Sequence, residues 1–160
     1  MLKITLLCVG KLKEKFYIDA AEEYYKRLSG FYKLEVVEIP EYRLPADPSY
    51  AQILNGLNKE HDLMLTKLPR EAMTAALCID GDEMSSSELS EFISQCPIKG
   101  ISKLCFIIGG SYGLHASIIE SADIKLSLSK MTLPHHLARI VLLEQLYRGF
   151  KIAEGGRYVK

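Results

Sequence analysis

Two hydrophobic periods alternate along this chain. "LKITLLCV" (2–9) is a continuous apolar run of strand type, closed by Gly10. "EKFYIDAAEEYYKRLS" (14–29) sets Phe16, Ala20, Tyr24 and Leu28 on one stripe with charges elsewhere, the pattern of an amphipathic helix. "KLEVVEIP" (33–40) alternates again, is β-branched and ends on Pro40, which predicts a strand. A loop with two prolines (41–48) leads into a helix over about 49–68 that carries Ile53, Leu54, Leu57, His61, Met64 and Leu65 on one side. "TAALCIDG" (74–81) is a strand of the continuous-apolar kind, and Ser85–Ser86–Ser87 with Glu88 supplies N-cap chemistry for a helix to about residue 95. Lys103–Ile108 is another buried strand, "LHASIIESA" a short helix and "IKLSLS" (124–129) a last strand. "LPHHLARIVLLEQLYRGFK" is the longest helix, with Pro134 in its first turn, where proline is favoured.

Strands therefore alternate with helices about five times. That order predicts an α/β fold with a mainly parallel sheet and helices on both faces. No repeat, linker or low-complexity segment interrupts it, and 160 residues suit one domain over 1–160.

Composition narrows the class. With 48% hydrophobic and 25% charged residues the chain has enough apolar side chains to build a core, which excludes disorder. The first apolar run stops after about seven residues, well short of the ~20 that span a bilayer, and no small-residue cleavage site follows. A cytoplasmic protein without membrane contact is expected. Cys8, Cys78, Cys96 and Cys105 form no C-x-x-C pair, and the histidines make no i, i+4 couple with a carboxylate. Reduced structural thiols and no metal are the reading. Net charge is zero, yet residues 125–160 hold seven basic groups against Glu144 and Glu154. That asymmetry suggests a local surface for a polyanion.

In a parallel sheet, ligands bind beyond the carboxyl ends of strands. Three polar or glycine-bearing loops follow strands late in the chain: Asp80–Gly81–Asp82, Gly109–Gly110–Ser111 and Ser129–Lys130–Met131–Thr132. "FIIGGSYGL" (106–114) resembles a dinucleotide loop, but Ile108 stands where its first glycine belongs and no carboxylate ends the next strand. No P-loop pattern occurs either. The last helix is apolar on nearly every face, through Leu137, Ile140, Val141, Leu142, Leu143, Leu146, Tyr147 and Phe150. Such a helix is buried on more than one side, which predicts a homodimer; Arg139, Glu144 and Arg148 are then charges near its seam, either a satisfied structural network or groups that reach a substrate there. The tail "EGGRYVK" joins Arg157, Tyr158 and Lys160 to flexible glycines, which suits stacking and phosphate contact on RNA or a merely frayed end.

The glycine loop together with "LSLSKMTLPHHLARIVLLEQLYRGFKI" resembles the large-subunit rRNA methyltransferases of the RlmH type, within the SPOUT superfamily. The likeness extends to "LKITLLCVGKLKEKF", "LCIDGDEMSSSELS" and the closing Tyr-x-Lys. It implies a C-terminal deep trefoil knot, a topology that general threading rules would exclude. It also implies a homodimer that binds S-adenosylmethionine in the knot loops and methylates N3 of a pseudouridine in the 23S rRNA of the assembled ribosome. Carried over by motif position, the cofactor contacts are Leu77, Gly109, Leu128, Ser129, Lys130, Met131, Thr132 and Leu133. The catalytic candidates are Arg139 and Arg148 as cationic stabilisers, Tyr158 or Tyr147 as orienting groups, and His135 or His136 as a base. His135 lies at a helix N-terminus, where the dipole favours the neutral imidazole. The tail departs from the family, which commonly ends in Tyr-His and a basic residue; here Val159 follows Tyr158. The competing expectations are a non-catalytic RNA- or ribosome-binding module and, more weakly, a flavodoxin-like nucleotide binder.

Overall fold

The apolar run at the N-terminus is buried along its length because it lies between two other strands. In the computed structural model, which describes residues 1–155, β1 (Lys3–Val9) pairs with β2 (Lys33–Ile39) on one side and β4 (Lys103–Ile108) on the other. β3 (Met73–Glu83) joins β4, and β5 (Ile124–Ser127) joins β3. Every pairing is parallel and the order is β2-β1-β4-β3-β5. The helices are α1 (Lys15–Leu28), α2 (Tyr50–Lys67), α3 (Ser86–Ile98), α4 (Ala116–Ser121) and α5 (His135–Ala153).

Strand alternation divides the core in two. Ile4, Leu6 and Cys8 of β1, with Leu104, Phe106 and Ile108 of β4, meet Ala21 and Leu28 of α1, Leu89 and Ile93 of α3, and Leu142, Leu143 and Leu146 of α5. On the opposite face Leu7, Val9, Cys105 and Ile107 meet Met64 of α2 and Ile118 of α4. The expected α/β sheet with helices on both faces is what the chain forms.

Local chemistry accounts for most element ends. Ser85 caps α3 in a reciprocal box with Glu88, and Ser49 caps α2 in one with Gln52, satisfying amide donors at each helix start. Pro134 stands at the N-cap of α5, one place ahead of the helix proper. α3 runs to Ile98, past the expected end near 95, since Pro97 sits in the last turn and the following amides cap onto Gln95 and Pro97 carbonyls.

Two features differ from the pattern-based reading. β3 does not stop at Gly81: Leu77 and Asp82 both pair with Leu126, so residues 78–81 bulge out of the sheet and pairing resumes. A Cβ on Gly81 would lie 2.7 Å from the Lys125 carbonyl oxygen, so only glycine allows β5 to run that close. Secondly, α5 is flanked within the chain by α1 and α3. Ser90 of α3 donates to the Gly149 carbonyl at 2.6 Å, and the bare Gly149 lets the two helices approach. Much of the apolar surface of α5 is thus covered internally, by neighbours that the sheet-only argument overlooked. Leu137 and Val141, one turn apart and half-buried, belong to neither core cluster.

Candidate active site

A cavity of about 660 Å³ lies at the carboxyl edge of β3, β4 and β5. Three segments remote in sequence wall it: the β3 bulge, the glycine loop after β4, and the chain between β5 and α5. Among the expected cofactor residues, Leu77, Gly109, Leu128, Ser129, Met131, Thr132 and Leu133 line it; Lys130 is exposed and stands outside the wall. His135 of α5 lines it too. Its size falls in the ~300–1,000 Å³ range of small-molecule sites.

The glycine loop is a turn folded onto itself. Gly113 donates its N–H to the Gly110 carbonyl at 3.0 Å and adopts φ +79°, a left-handed conformation that favours glycine. A Cβ on Gly109 would overlap the Gly113 backbone. Ile108, where a dinucleotide loop would want glycine, is instead the buried last residue of β4. The segment after β5 is shaped by serines: Ser127 Oγ donates to the Ser129 carbonyl at 3.0 Å, and the Met131 N–H donates to Ser129 Oγ at 2.9 Å.

A residue absent from the sequence-level site holds the loop in place. Glu41, just past the end of β2, accepts from the Ser111 N–H at 3.1 Å and from Ser111 Oγ at 2.8 Å. Its other oxygen lies 3.9 Å from His135 Nε2. Burial works to raise the Glu41 carboxyl, but the two Ser111 hydrogen bonds, with His135 and His136 nearby, outweigh it and hold the pKa below the ordinary value. The available signal was its position beyond Pro40, at the carboxyl end of a strand.

His135 and His136 pack with ring centroids 4.1 Å apart, and Nε2 of each is buried without a hydrogen-bond partner. Burial, followed by the neighbouring His136, lowers the His135 pKa, so the imidazole is neutral near pH 7. Arg139 is buried: Nη1 donates to Glu38 at 2.6 Å and Nη2 to the Gly10 carbonyl at 2.9 Å, tying α5 to the ends of β1 and β2. Arg148 forks onto Glu144, one turn back on α5, with its shortest bond at 2.8 Å, and does not line the cavity. Tyr158 lies outside the described residues. Among the described residues no group of three or more His, Cys, Asp or Glu is arranged to hold a metal, and no helix is long and apolar enough to cross a membrane.

Comparison with known proteins places this geometry in a family. The family model described as "Predicted SPOUT methyltransferase" matches residues 2–158. Ribosomal RNA large subunit methyltransferase H of Streptococcus uberis is 43% identical over 159 residues, 99% of this chain and 100% of that protein. Its namesake from Carboxydothermus hydrogenoformans is similar to the same extent, 43% over 159 residues with the same coverage. Among solved structures, a probable methylase family protein from Haemophilus influenzae Rd KW20 shares the fold with a TM-score of 0.59 at 11% identity, over 100% of this chain and 72% of that one. Matched almost end to end by the family model and aligned along the full length of its relatives, the chain belongs to the SPOUT methyltransferases.

Proposed function

We propose that the chain transfers a methyl group from S-adenosylmethionine to N3 of a pseudouridine in the 23S rRNA of the assembled ribosome. On this reading it works in the cytoplasm as a homodimer, with residues 1–160 as one catalytic unit and the C-terminal segment tied in a knot. The observation that carries the reading is the convergence of the β3 bulge, glycine loop and post-β5 segment on one cavity, in a chain similar over its full length to named rRNA methyltransferases. The close passage of β5 behind Gly81 supports a tightly packed C-terminal segment, as a knot would need.

The residues present fit S-adenosylmethionine. Leu77, Leu114, Leu128 and Leu133 offer apolar walls to an adenine ring, while backbone amides and carbonyls of the glycine and serine turns offer hydrogen bonds to its edges. When bound, the cofactor supplies an electrophilic methyl group on a sulfonium. The chain must hold the acceptor nitrogen in line with that methyl and take up the N3 proton. His135, neutral and at the cavity wall, is the group that accepts the proton. Arg139 is engaged by Glu38 and Gly10, which supports a positioning role for it; Arg148 and Tyr158 remain the candidates on the substrate side. The half-buried Leu137 and Val141 support the dimer, since neither joins a core cluster.

The test is mass spectrometry of 23S rRNA from cells with and without the protein, paired with transfer of labelled methyl to unmodified ribosomes in vitro. Expected is one methylated pseudouridine that disappears with the protein. Ribosome binding without transfer would leave a binding module and reject the enzyme.

A further inference from the structure

A second cavity, of about 940 Å³, opens at the carboxyl edge of β1 and β2. Strand order reverses between β1 and β4, and the cavity borders that switch point through Gly10 after β1 and Ser111 and Tyr112 after β4, in the region where ligands of parallel α/β proteins bind. Ser111 and Tyr112 of the glycine loop line both this cavity and the one described above. The two spaces are therefore neighbours across a single turn of chain. Nothing in the proposed cofactor site accounts for the second one.

Its charges are unevenly committed. Of the four carboxylates in the wall, Glu38 is paired with a cation, Arg139, while Glu41 and Glu60 are held by neutral donors, the Ser111 N–H and Oγ and the Tyr42 N–H at 3.0 Å, and Glu14 lies 3.8 Å from His136 Nδ1. Lys11, Lys13 and Arg43 also line the wall, are exposed, and make no ion pair among the described residues. Tyr112, 50% exposed, presents an aromatic ring at the border between the two spaces. Uncommitted cations beside an exposed aromatic are the elements with which proteins hold single-stranded RNA, through phosphate contact and base stacking.

We infer that this second cavity is the dock for the RNA strand carrying the target base, with Lys11, Lys13 and Arg43 on phosphates and Tyr112 stacked on a base beside the methyl-donor space. The inference rests on the rRNA methyltransferase reading above. A methyl acceptor has to come within ~3–3.5 Å of the donor atom, so the strand must occupy space directly beside the cofactor. The cavity that shares the glycine loop provides that space. The net basic surplus of residues 125–160, the polyanion signal in the sequence, lies elsewhere in the chain; the dock draws its cations from the β1–α1 and β2–α2 loops.

The experiment compares wild type with Lys11→Gln/Lys13→Gln/Arg43→Gln, with Tyr112→Phe and Tyr112→Ala, and with a control, Lys67→Gln/Lys99→Gln, away from the cavity. Methyl transfer to unmodified ribosomes is measured across a salt series, and S-adenosylmethionine affinity by calorimetry. The triple variant should raise KM for ribosomes by about tenfold or more, and its log–log salt dependence should flatten by about 2, from three phosphate contacts at ~0.7 each. Its kcat at saturating ribosomes and its cofactor Kd should stay within twofold of wild type. Tyr112→Phe should keep KM, whereas Tyr112→Ala should raise it about tenfold by loss of stacking. An active wild type whose KM is unmoved by the triple variant overturns the dock and spares the function. A raised KM with an unchanged salt slope means that the cations touch something other than phosphate, such as a ribosomal protein, and overturns it too. If wild type transfers no methyl to ribosomes, the function itself fails and the dock with it.

Discussion

Glu41 couples two loops that are 70 residues apart in sequence, by accepting both donors of Ser111. Removing it in Glu41→Ala leaves the glycine loop without its anchor. Loss of these bonds to a charged acceptor should cost about 1–2 kcal/mol of loop order, read as cofactor affinity ~5–30-fold weaker by calorimetry. Glu41→Gln keeps an acceptor oxygen and should lose less. A second residue-level expectation concerns pH. The folded His135 pKa lies below the unfolded value, chiefly through burial, so the unfolded chain takes the proton first. Stability is then full above the ordinary imidazole pKa and falls as pH drops from that value toward the lowered one. Glu41, also lowered, adds a further loss of stability at more acidic pH, below the ordinary carboxylate range. Melting temperature followed against pH should show the upper step in wild type and a flatter curve over that window in His135→Gln. Equal curves would remove His135 as its source.

The long helix α5 is held at three places of different kind: apolar contact with α1 and α3, the Ser90–Gly149 hydrogen bond, and Arg139 reaching Glu38 and the Gly10 carbonyl. The last is the only one of these that ties α5 to the carboxyl edge of β1 and β2, beside the histidines. Arg139→Met would fill similar space but leave Glu38 and a carbonyl without their partner. The expected loss is about 3 kcal/mol in denaturant unfolding, the lower end for breaking a buried pair because Glu38 is partly exposed. Cofactor affinity should weaken alongside, as His135 and the Ser111–Glu41 contact sit on the segments that Arg139 holds. A variant as stable as wild type would mean that apolar packing alone seats α5. The β3 bulge is the other element-level device: it interrupts the ladder for residues 78–81 and turns Cys78, Ile79 and Asp80 toward the cavity, which a straight strand would keep in the sheet.

For the molecule as a whole, two cavities share one glycine loop along one edge of the sheet, and the outer stripe of α5 stays half-buried with apolar groups. Leu137 and Val141 are the positions where a second copy would seat. Leu137→Asp with Val141→Asp should shift the protein to monomer in analytical ultracentrifugation at micromolar concentration, without loss of helix content by circular dichroism. A dimer that survives both charges puts the seam elsewhere.

The elements and their type were legible in the sequence because hydrophobic period is a local property. β1, α1, β2, α2 and β4 fall within a residue or so of where their patterns put them, and the capping box at Ser85 announced α3. The loops forming the first cavity were also legible, since parallel strands expose their carboxyl ends by rule and glycines mark the turns there. Other features depended on distant partners. Gly81 reads as a strand-ending turn until Lys125 is seen lying against it; then it is a bulge within the strand. Arg139 reads as a cation on an apolar helix until Glu38 and the Gly10 carbonyl are found around it. Glu41 carries no local mark, because its meaning lies in Ser111. Periodicity records what one segment does to its own neighbours along the chain, and so yields strands, helices and their apolar faces. Which strand ends adjoin, which charges are spent on each other and which are left for a ligand are pairwise facts across long separations, and only the folded sheet decides them.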